Sequence, residues 1–124
     1  MTFDLVFYTG MALLLVHELD AVHRHEWRMF PVLSGFDDRK GFQLFVLLHV
    51  PLLVLIFWLM FHPIMVVRYW FFVVMDIFFI VHAALHSLLK KHKHNRFSGD
   101  FSIAIIAATA AAGMLHLALL VFGP

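Results

Sequence analysis

Four runs of about twenty largely apolar residues, joined by short polar connectors, constrain the fold of this chain more than any other feature. At about 1.5 Å of rise per residue, each run can cross the ~30 Å hydrocarbon core of a bilayer as an α-helix. None shows the alternation of a β-strand. Because the connectors are short, neighbouring helices should be antiparallel. The sequence predicts an all-α, integral membrane four-helix up-down bundle, one domain over residues 1–124 with helices at about 3–26, 42–61, 67–90 and 101–122.

The composition argues against a soluble protein. Hydrophobic residues make up 63% of the 124 residues and charged residues 14%, against about 25% charged residues in a soluble domain. The mean hydropathy is +0.91, so membrane lipids are the expected partners. A net charge of +1 does not favour nucleic acid, and the absence of cysteine excludes disulfides and thiolate metal sites. Whether the chain forms a homo-oligomer is left open.

The basic residues are distributed unevenly along the chain. One side of the predicted membrane carries Arg68 alone, and the other eight of the nine lie on the side of the first and third connectors. Cytoplasmic loops carry an excess of Lys and Arg. The sequence therefore predicts that these two connectors are cytoplasmic and both termini outside, and a bacterial inner membrane is the expected location. The eight residues are Arg24, Arg28, Arg39, Lys40, Lys90, Lys91, Lys93 and Arg96.

Imidazoles from three helices are predicted to lie at nearly the same depth. His17 lies about 10 Å from the end of the first helix, His49 about 10 Å into the second and His82 about 12 Å from the end of the third. His86 follows His82 by four residues, a spacing at which two imidazoles on one helix face can bind one ion. This layer is the candidate site.

Carboxylates within the membrane strengthen this hypothesis. Burying an ionised one costs about 2.5 kcal/mol or more, so Glu18, Asp20 and Asp76 each need a proton, a cation or a partner. A shared metal ion would meet that need, as would neutral His–carboxyl hydrogen bonds. Glu26, near the end of the first helix, is expected to reach the headgroup region. The candidate metal ligands are His17, Glu18, Asp20, His23, His49, His82 and His86, with Glu18 or Asp76 as the candidate general base.

A second, deeper polar layer is predicted between the third and fourth helices. Asp76 lies about 20 Å from the cytoplasmic end of the third helix, and His116 about 24 Å into the fourth. We therefore expect an Asp76–His116 pair.

Two stretches of sequence carry a family resemblance. The run from His17-Glu18-Leu19-Asp20-Ala21 to Glu26-Trp27-Arg28-Met29-Phe30-Pro31, followed by His82 to Phe97-Ser98-Gly99, resembles the HXXEE-motif family of small bacterial membrane proteins. That resemblance implies four helices, an acidic motif ending helix one and histidines on helix three. Here neither His17 nor His23 is followed by two consecutive acids, and the family brings no established activity.

Several functions are compatible with these residue types. A divalent metal, Zn or Fe, held by His17, His82 and His86 could activate water, and the protein would be a metalloenzyme acting on a lipid-like substrate. Asp76 with His82 and His86 also looks like the Asp and HxxxH arrangement of ceramidase-type hydrolases. A di-iron oxidoreductase is an alternative within this class. Non-enzymatic binding or transport of metal ions or protons, and haem binding by two histidines, are the alternatives outside it.

Overall fold

The computed structural model describes the backbone of residues 2–97 and 99–123 and the side chains of 4–97 and 99–123. Over these residues the chain forms four long helices and no strand: α1 Thr2–His23, α2 Asp38–Met60, α3 Met65–Leu88 and α4 Asp100–Phe122. All four are long and apolar enough to cross a membrane. The predicted all-α, membrane-spanning four-helix bundle is confirmed.

The ends of two helices differ from the predicted ones for local reasons. Helix α1 stops three residues early, because His25 adopts a left-handed backbone conformation with φ of 59° and a 3₁₀-helix follows over Glu26–Met29. Helix α2 begins earlier than expected, because the Asp37 carboxylate accepts a hydrogen bond from the backbone N–H of Lys40 at 3.0 Å and caps it. The first connector is therefore more structured than its polarity indicates.

Helices α1, α3 and α4 pack closely through small residues. A Cβ added at Gly113 of α4 would lie 3.0 Å from the backbone oxygen of Asp76, and one at Gly10 of α1 would lie 2.8 Å from the Phe79 ring. Small residues allow apolar helices to approach in this way. Ser102 lies near the start of α4 and is buried against the end of α1, whereas Gly10 lies in the first half of α1 and faces the second half of α4. The two helices are therefore antiparallel.

Helix α2 packs against the rest of the bundle mainly near its two ends. Ile56 and Met60 join the apolar cluster around Phe71 of α3, and Phe45 belongs to a second cluster with Trp27. Most apolar side chains between these points are exposed. Between these points a cleft separates α2 from α1, lined by Leu15 and Leu19 on one side and by Val46 and Leu53 on the other.

The two polar connectors meet at one end of the molecule. Arg24 donates from Nη1 to the backbone oxygen of Arg96 at 3.3 Å, and Trp27 and Arg28 line a small pocket with His94. The Asp38 carboxylate at the start of α2 accepts hydrogen bonds from Arg28 Nε at 2.9 Å and Trp27 Nε1 at 3.3 Å. These contacts cover the end of the bundle where the candidate ligands lie.

Candidate metal centre

Three imidazoles from two helices meet inside the bundle. His17 comes from α1, and His82 and His86 come from successive turns of one face of α3. Their ring centroids are 4.8 Å (His17–His82), 5.0 Å (His17–His86) and 4.6 Å (His82–His86) apart. One nitrogen from each ring lies within 4.8 Å of the other two. The three donors can therefore face a single ion.

Aromatic residues close the cluster from two sides. The buried ring of Phe97, which follows α3, lies 5.4 Å from His17 and 4.6 Å from His86 between ring centroids. The ring of Phe78 lies 5.4 Å from that of His82. This enclosure limits the hydrogen-bond partners available to the imidazoles.

Glu26 completes the cluster, contrary to the expectation that it reaches the headgroups. Only 7% of its surface is exposed, because the left-handed turn at His25 directs the 3₁₀-helix back over the imidazoles. Its Oε2 lies 3.8 Å from His17 Nε2 and its Oε1 lies 3.8 Å from His86 Nε2. Burial, with further contributions from the nearby Glu18 and Asp20, raises the pKa of Glu26 to about 8. His17, Asp20, His23 and Glu26 recur at every third residue, but in a continuous helix Glu26 would lie on the face opposite His17.

The imidazole of His17 is buried without a hydrogen bond to either ring nitrogen. The side chain is 1% exposed, and neither Nδ1 nor Nε2 has a partner among the described residues. A neutral imidazole carries one N–H and one lone pair, so both are unsatisfied, at about 1–3 kcal/mol for each buried group. The Nε2 atoms of His82 and His86 lie 3.2 Å apart, within hydrogen-bond distance of each other. The His82–His86 contact uses one donor and one lone pair, whereas the N–H and the lone pair of His17 both lack a partner among the described residues.

Glu18 and His49, both predicted ligands, lie together outside the imidazole cluster. His49 Nε2 lies 3.0 Å from Glu18 Oε2, and His49 Nδ1 lies 2.7 Å from the backbone oxygen of Phe45. This pair lines the cleft between α1 and α2.

Asp20 and His23 also stay apart from the three imidazoles. Asp20 accepts hydrogen bonds from Ser102 Oγ at 2.5 Å and Arg24 Nε at 3.2 Å, so its charge has partners. His23 is exposed at the end of α1.

The predicted Asp76–His116 pair is confirmed. His116 Nδ1 lies 2.7 Å from Asp76 Oδ2, and both side chains are almost fully buried, at 1% and 0% exposed. The rings of Phe7 and Phe72 enclose His116. Asp76 therefore belongs to a site of its own and not to the imidazole cluster.

Comparison with known proteins places the chain in a family without assigning an activity. No curated protein and no solved structure matches it. The model of DUF6713, described as a family of unknown function, matches residues 3–122. Nothing in this match links the chain to the HXXEE-motif family, so that resemblance stays a prediction. Since the match covers nearly all of the 124 residues, the chain belongs to the DUF6713 family.

Proposed function

We propose that this membrane protein binds one divalent transition-metal ion, Zn²⁺ or Fe²⁺, through His17, His82 and His86. The observation that carries the proposal is the burial of three converging imidazoles, one of which, His17, has no hydrogen bond to either nitrogen from the residues that the structure describes. A metal ion would accept the lone pairs that no described donor satisfies.

The spacing of the donors supports a small ion. Tetrahedral zinc with Zn–N distances of about 2.0–2.1 Å places neighbouring ligand nitrogens about 3.3 Å apart. The Nε2 atoms of His82 and His86 are already 3.2 Å apart, and the donor set lies within 4.8 Å. A modest rotation of the His17 ring would complete the trigonal arrangement.

The distribution of carboxylates favours a single ion over a di-iron centre. Di-iron sites in helical bundles use several carboxylates, whereas here Glu26 lies beside the imidazoles and the others have separate partners. Glu18 faces His49, and Asp76 faces His116. One metal with three imidazoles and one acidic neighbour fits these contacts best.

We assign the role of general base to Glu26 instead of Glu18 or Asp76. Three protein ligands leave a fourth position that catalytic zinc sites give to water, whose pKa the metal lowers to about 7. Glu26, with oxygens 3.8 Å from two of the imidazoles, would accept a proton from such a water, because the charge of a bound cation would lower the pKa of this carboxyl group from about 8. The function proposed is a metal-dependent membrane hydrolase acting on a lipid-like substrate.

The alternatives find less support in these contacts. The three imidazoles pack within 5.0 Å of one another between ring centroids, which leaves no slot for a porphyrin. A proton or ion path would need polar groups joining the cluster to Asp76, but the buried ring of Phe79 lies between them on α3 and packs against Gly10 and Gly113.

The orientation proposed for the bundle follows from its basic residues. Both connectors that carry eight of the nine Lys and Arg residues meet at the end of the bundle that holds the cluster. By the positive-inside tendency this end faces the cytoplasm. In a bacterial inner membrane, the metal centre would then lie near the cytoplasmic surface.

Metal analysis of the purified protein tests the proposal. Full-length protein, extracted in detergent and loaded with Zn²⁺ or Fe²⁺, should retain about one ion per chain after desalting. The double substitution His82→Ala/His86→Ala should remove it. The matched control is His23→Ala, on the same helix as His17 but exposed, and it should retain the ion. The proposal is wrong if the unaltered protein holds no metal or if the double variant holds as much.

A further inference from the structure

We propose that the cleft between α1 and α2 binds the acyl chain of a membrane lipid that bears a hydrogen-bond donor, such as a hydroxyl or amide N–H, recognised by Glu18 and His49. Binding itself does not depend on the metal, whereas the further statement that this lipid is the substrate class rests on the proposed function.

The cleft has the size and lining of a site for one apolar chain. It encloses about 290 Å³, close to the lower end of the ~300–1,000 Å³ typical of small-molecule sites. Its walls are apolar except for two residues. The lining consists of Leu15, Leu19 and Val22 from α1, Val46 and Leu53 from α2, and the Glu18–His49 pair.

The cleft opens to the outside of the bundle, where lipid would surround the protein. Leu19 is 74% exposed on one wall, and Val46 is exposed on the other. It exists because α2 is held near its ends, by Phe45 at one and by Ile56 and Met60 at the other. An acyl chain can therefore enter sideways from the bilayer.

The polar pair in this wall has unused hydrogen-bonding capacity. His49 Nδ1 lies 2.7 Å from the Phe45 carbonyl oxygen, which can only accept, so Nδ1 carries a proton and donates it. His49 Nε2 and Glu18 Oε2 lie 3.0 Å apart, and one further proton between these two atoms completes a hydrogen bond. Both side chains remain about one quarter exposed, at 24% and 26%. A carboxyl group engaged through one oxygen can accept a hydrogen bond through the other, so a ligand that donates is complementary.

The Glu18–His49 pair, midway along the cleft, lies at the depth of the candidate metal centre. Glu18 directly follows His17 in α1, so the two side chains start from Cα atoms about 3.8 Å apart. A donor group held at Glu18 would thus sit one helix face away from the imidazoles. Because of this proximity, we infer that the lipid bound in the cleft belongs to the substrate class of the enzyme.

Photocrosslinking with a matched pair of probes tests the proposal. The full-length protein in lipid nanodiscs is irradiated with a diazirine-bearing fatty alcohol or with its methyl ether, which has the same chain and no donor. We expect the alcohol to label peptides covering residues 15–22 and 46–53. The ether should label them about fivefold less, the factor expected for one hydrogen bond in a membrane protein.

Two variants of α2 control for the position of labelling. Val46→Trp fills the cleft and should reduce labelling by the alcohol, whereas Val54→Trp places the same residue at an exposed position outside the lining and should not. Equal labelling by both probes, or labelling spread evenly over the four helices, would overturn the proposal.

The His82→Ala/His86→Ala variant separates this proposal from the metal hypothesis. It should bind the alcohol as the unaltered protein does, since no cleft residue is changed. Loss of metal binding with intact labelling would leave the lipid site standing. Metal binding without selective labelling would disprove the lipid site alone.

Discussion

The imidazole cluster and the Asp76–His116 pair are both buried arrangements of histidine and carboxylate, yet they differ in how closely the imidazole approaches the carboxylate. In the pair, one imidazole faces one carboxylate at 2.7 Å. In the cluster, three imidazoles face one another, and the one carboxylate beside them, Glu26, lies 3.8 Å from the two nitrogens it approaches.

The difference indicates which region is built for a ligand. A carboxylate and an imidazole that share a proton form a neutral unit, which reduces the cost of both in an apolar environment. Asp76 Oδ1 and His116 Nε2 lack a partner among the described residues, but each of these two side chains makes one hydrogen bond; in the cluster, neither nitrogen of His17 has a partner within the same described part of the chain. The pair therefore links α3 to α4, whereas under the proposed function a metal ion would supply the interactions that the cluster lacks.

The largest expected effect separates the two regions by metal affinity. His17→Ala should weaken Zn²⁺ binding by more than about 100-fold, because loss of a ligand should exceed the 10–100-fold typical of losing an outer partner. His116→Ala should leave the affinity unchanged. Titration against a competing chelator measures both constants, and equal losses would show that the regions are not independent.

The two regions should also differ in their contribution to the free energy of unfolding, with the larger loss expected at the Asp76–His116 pair. His116→Ala leaves Asp76 buried without its partner and should lower the free energy of unfolding by about 2–3 kcal/mol. His17→Ala in metal-free protein leaves a cavity but also removes two unsatisfied nitrogens, so it should destabilise the protein less than His116→Ala does. Denaturation in mixed micelles gives both values. An Asp76→Ala/His116→Ala double variant that is no more stable than His116→Ala would contradict the pairing argument.

A substitution at Gly113 tests how closely α4 packs against α3 between the two regions. An added Cβ would lie 3.0 Å from both the Asp76 backbone oxygen and the Phe79 Cβ, so Gly113→Ala should destabilise the protein by about 1–3 kcal/mol. The control is Gly35→Ala, since an added Cβ there meets nothing within 4 Å and that glycine has no positive φ. The same thermal-unfolding assay in detergent serves both variants, and a neutral Gly113→Ala would refute the close packing.

The pH dependence of metal-free protein should report on Glu26. Its pKa rises from 4.5 in the unfolded chain to about 8 in the folded one, so the folded state keeps a proton that the unfolded state releases. The stabilisation contributed by Glu26, measured as the free energy of unfolding of the unaltered protein minus that of Glu26→Gln, should therefore fall as pH rises through this interval, by about 1 kcal/mol from pH 6 to 7. Glu26→Gln should remove this contribution, and identical pH profiles for both proteins would contradict the burial of the carboxyl group.

The smallest effect concerns the turn that brings Glu26 to the cluster. His25 has φ of 59°, a conformation that costs a residue with a Cβ about 1–2 kcal/mol and glycine little. His25→Gly should therefore be more stable than His25→Ala by about 1 kcal/mol, a comparison in which both variants lose the stacking on Trp27. Equal melting temperatures would show that the left-handed turn is not maintained.

Several features of this protein could be predicted from the sequence because they depend on local rules. Long apolar runs must form helices in a membrane, since the backbone has no water to bind. The spacing of His82 and His86 places them on one face by helical periodicity, and counting residues inward brought Asp76 level with His116. The depth of a residue in the membrane and its position around a helix depend only on its place along the chain, so both can be predicted from the sequence.

The rotation of α1 about its axis and the path of the chain after it were decided by tertiary structure. Packing against α3 and α4 turned His17 and Asp20 inward and left Glu18 facing α2, although all three lie at similar depth. The left-handed turn at His25 then carried Glu26 over the imidazoles. The sequence by itself determined four membrane-spanning helices and a layer of histidines. The acidic residue that lies beside the histidines was selected by contacts between segments far apart in the sequence. Local sequence patterns do not give the energies of such contacts.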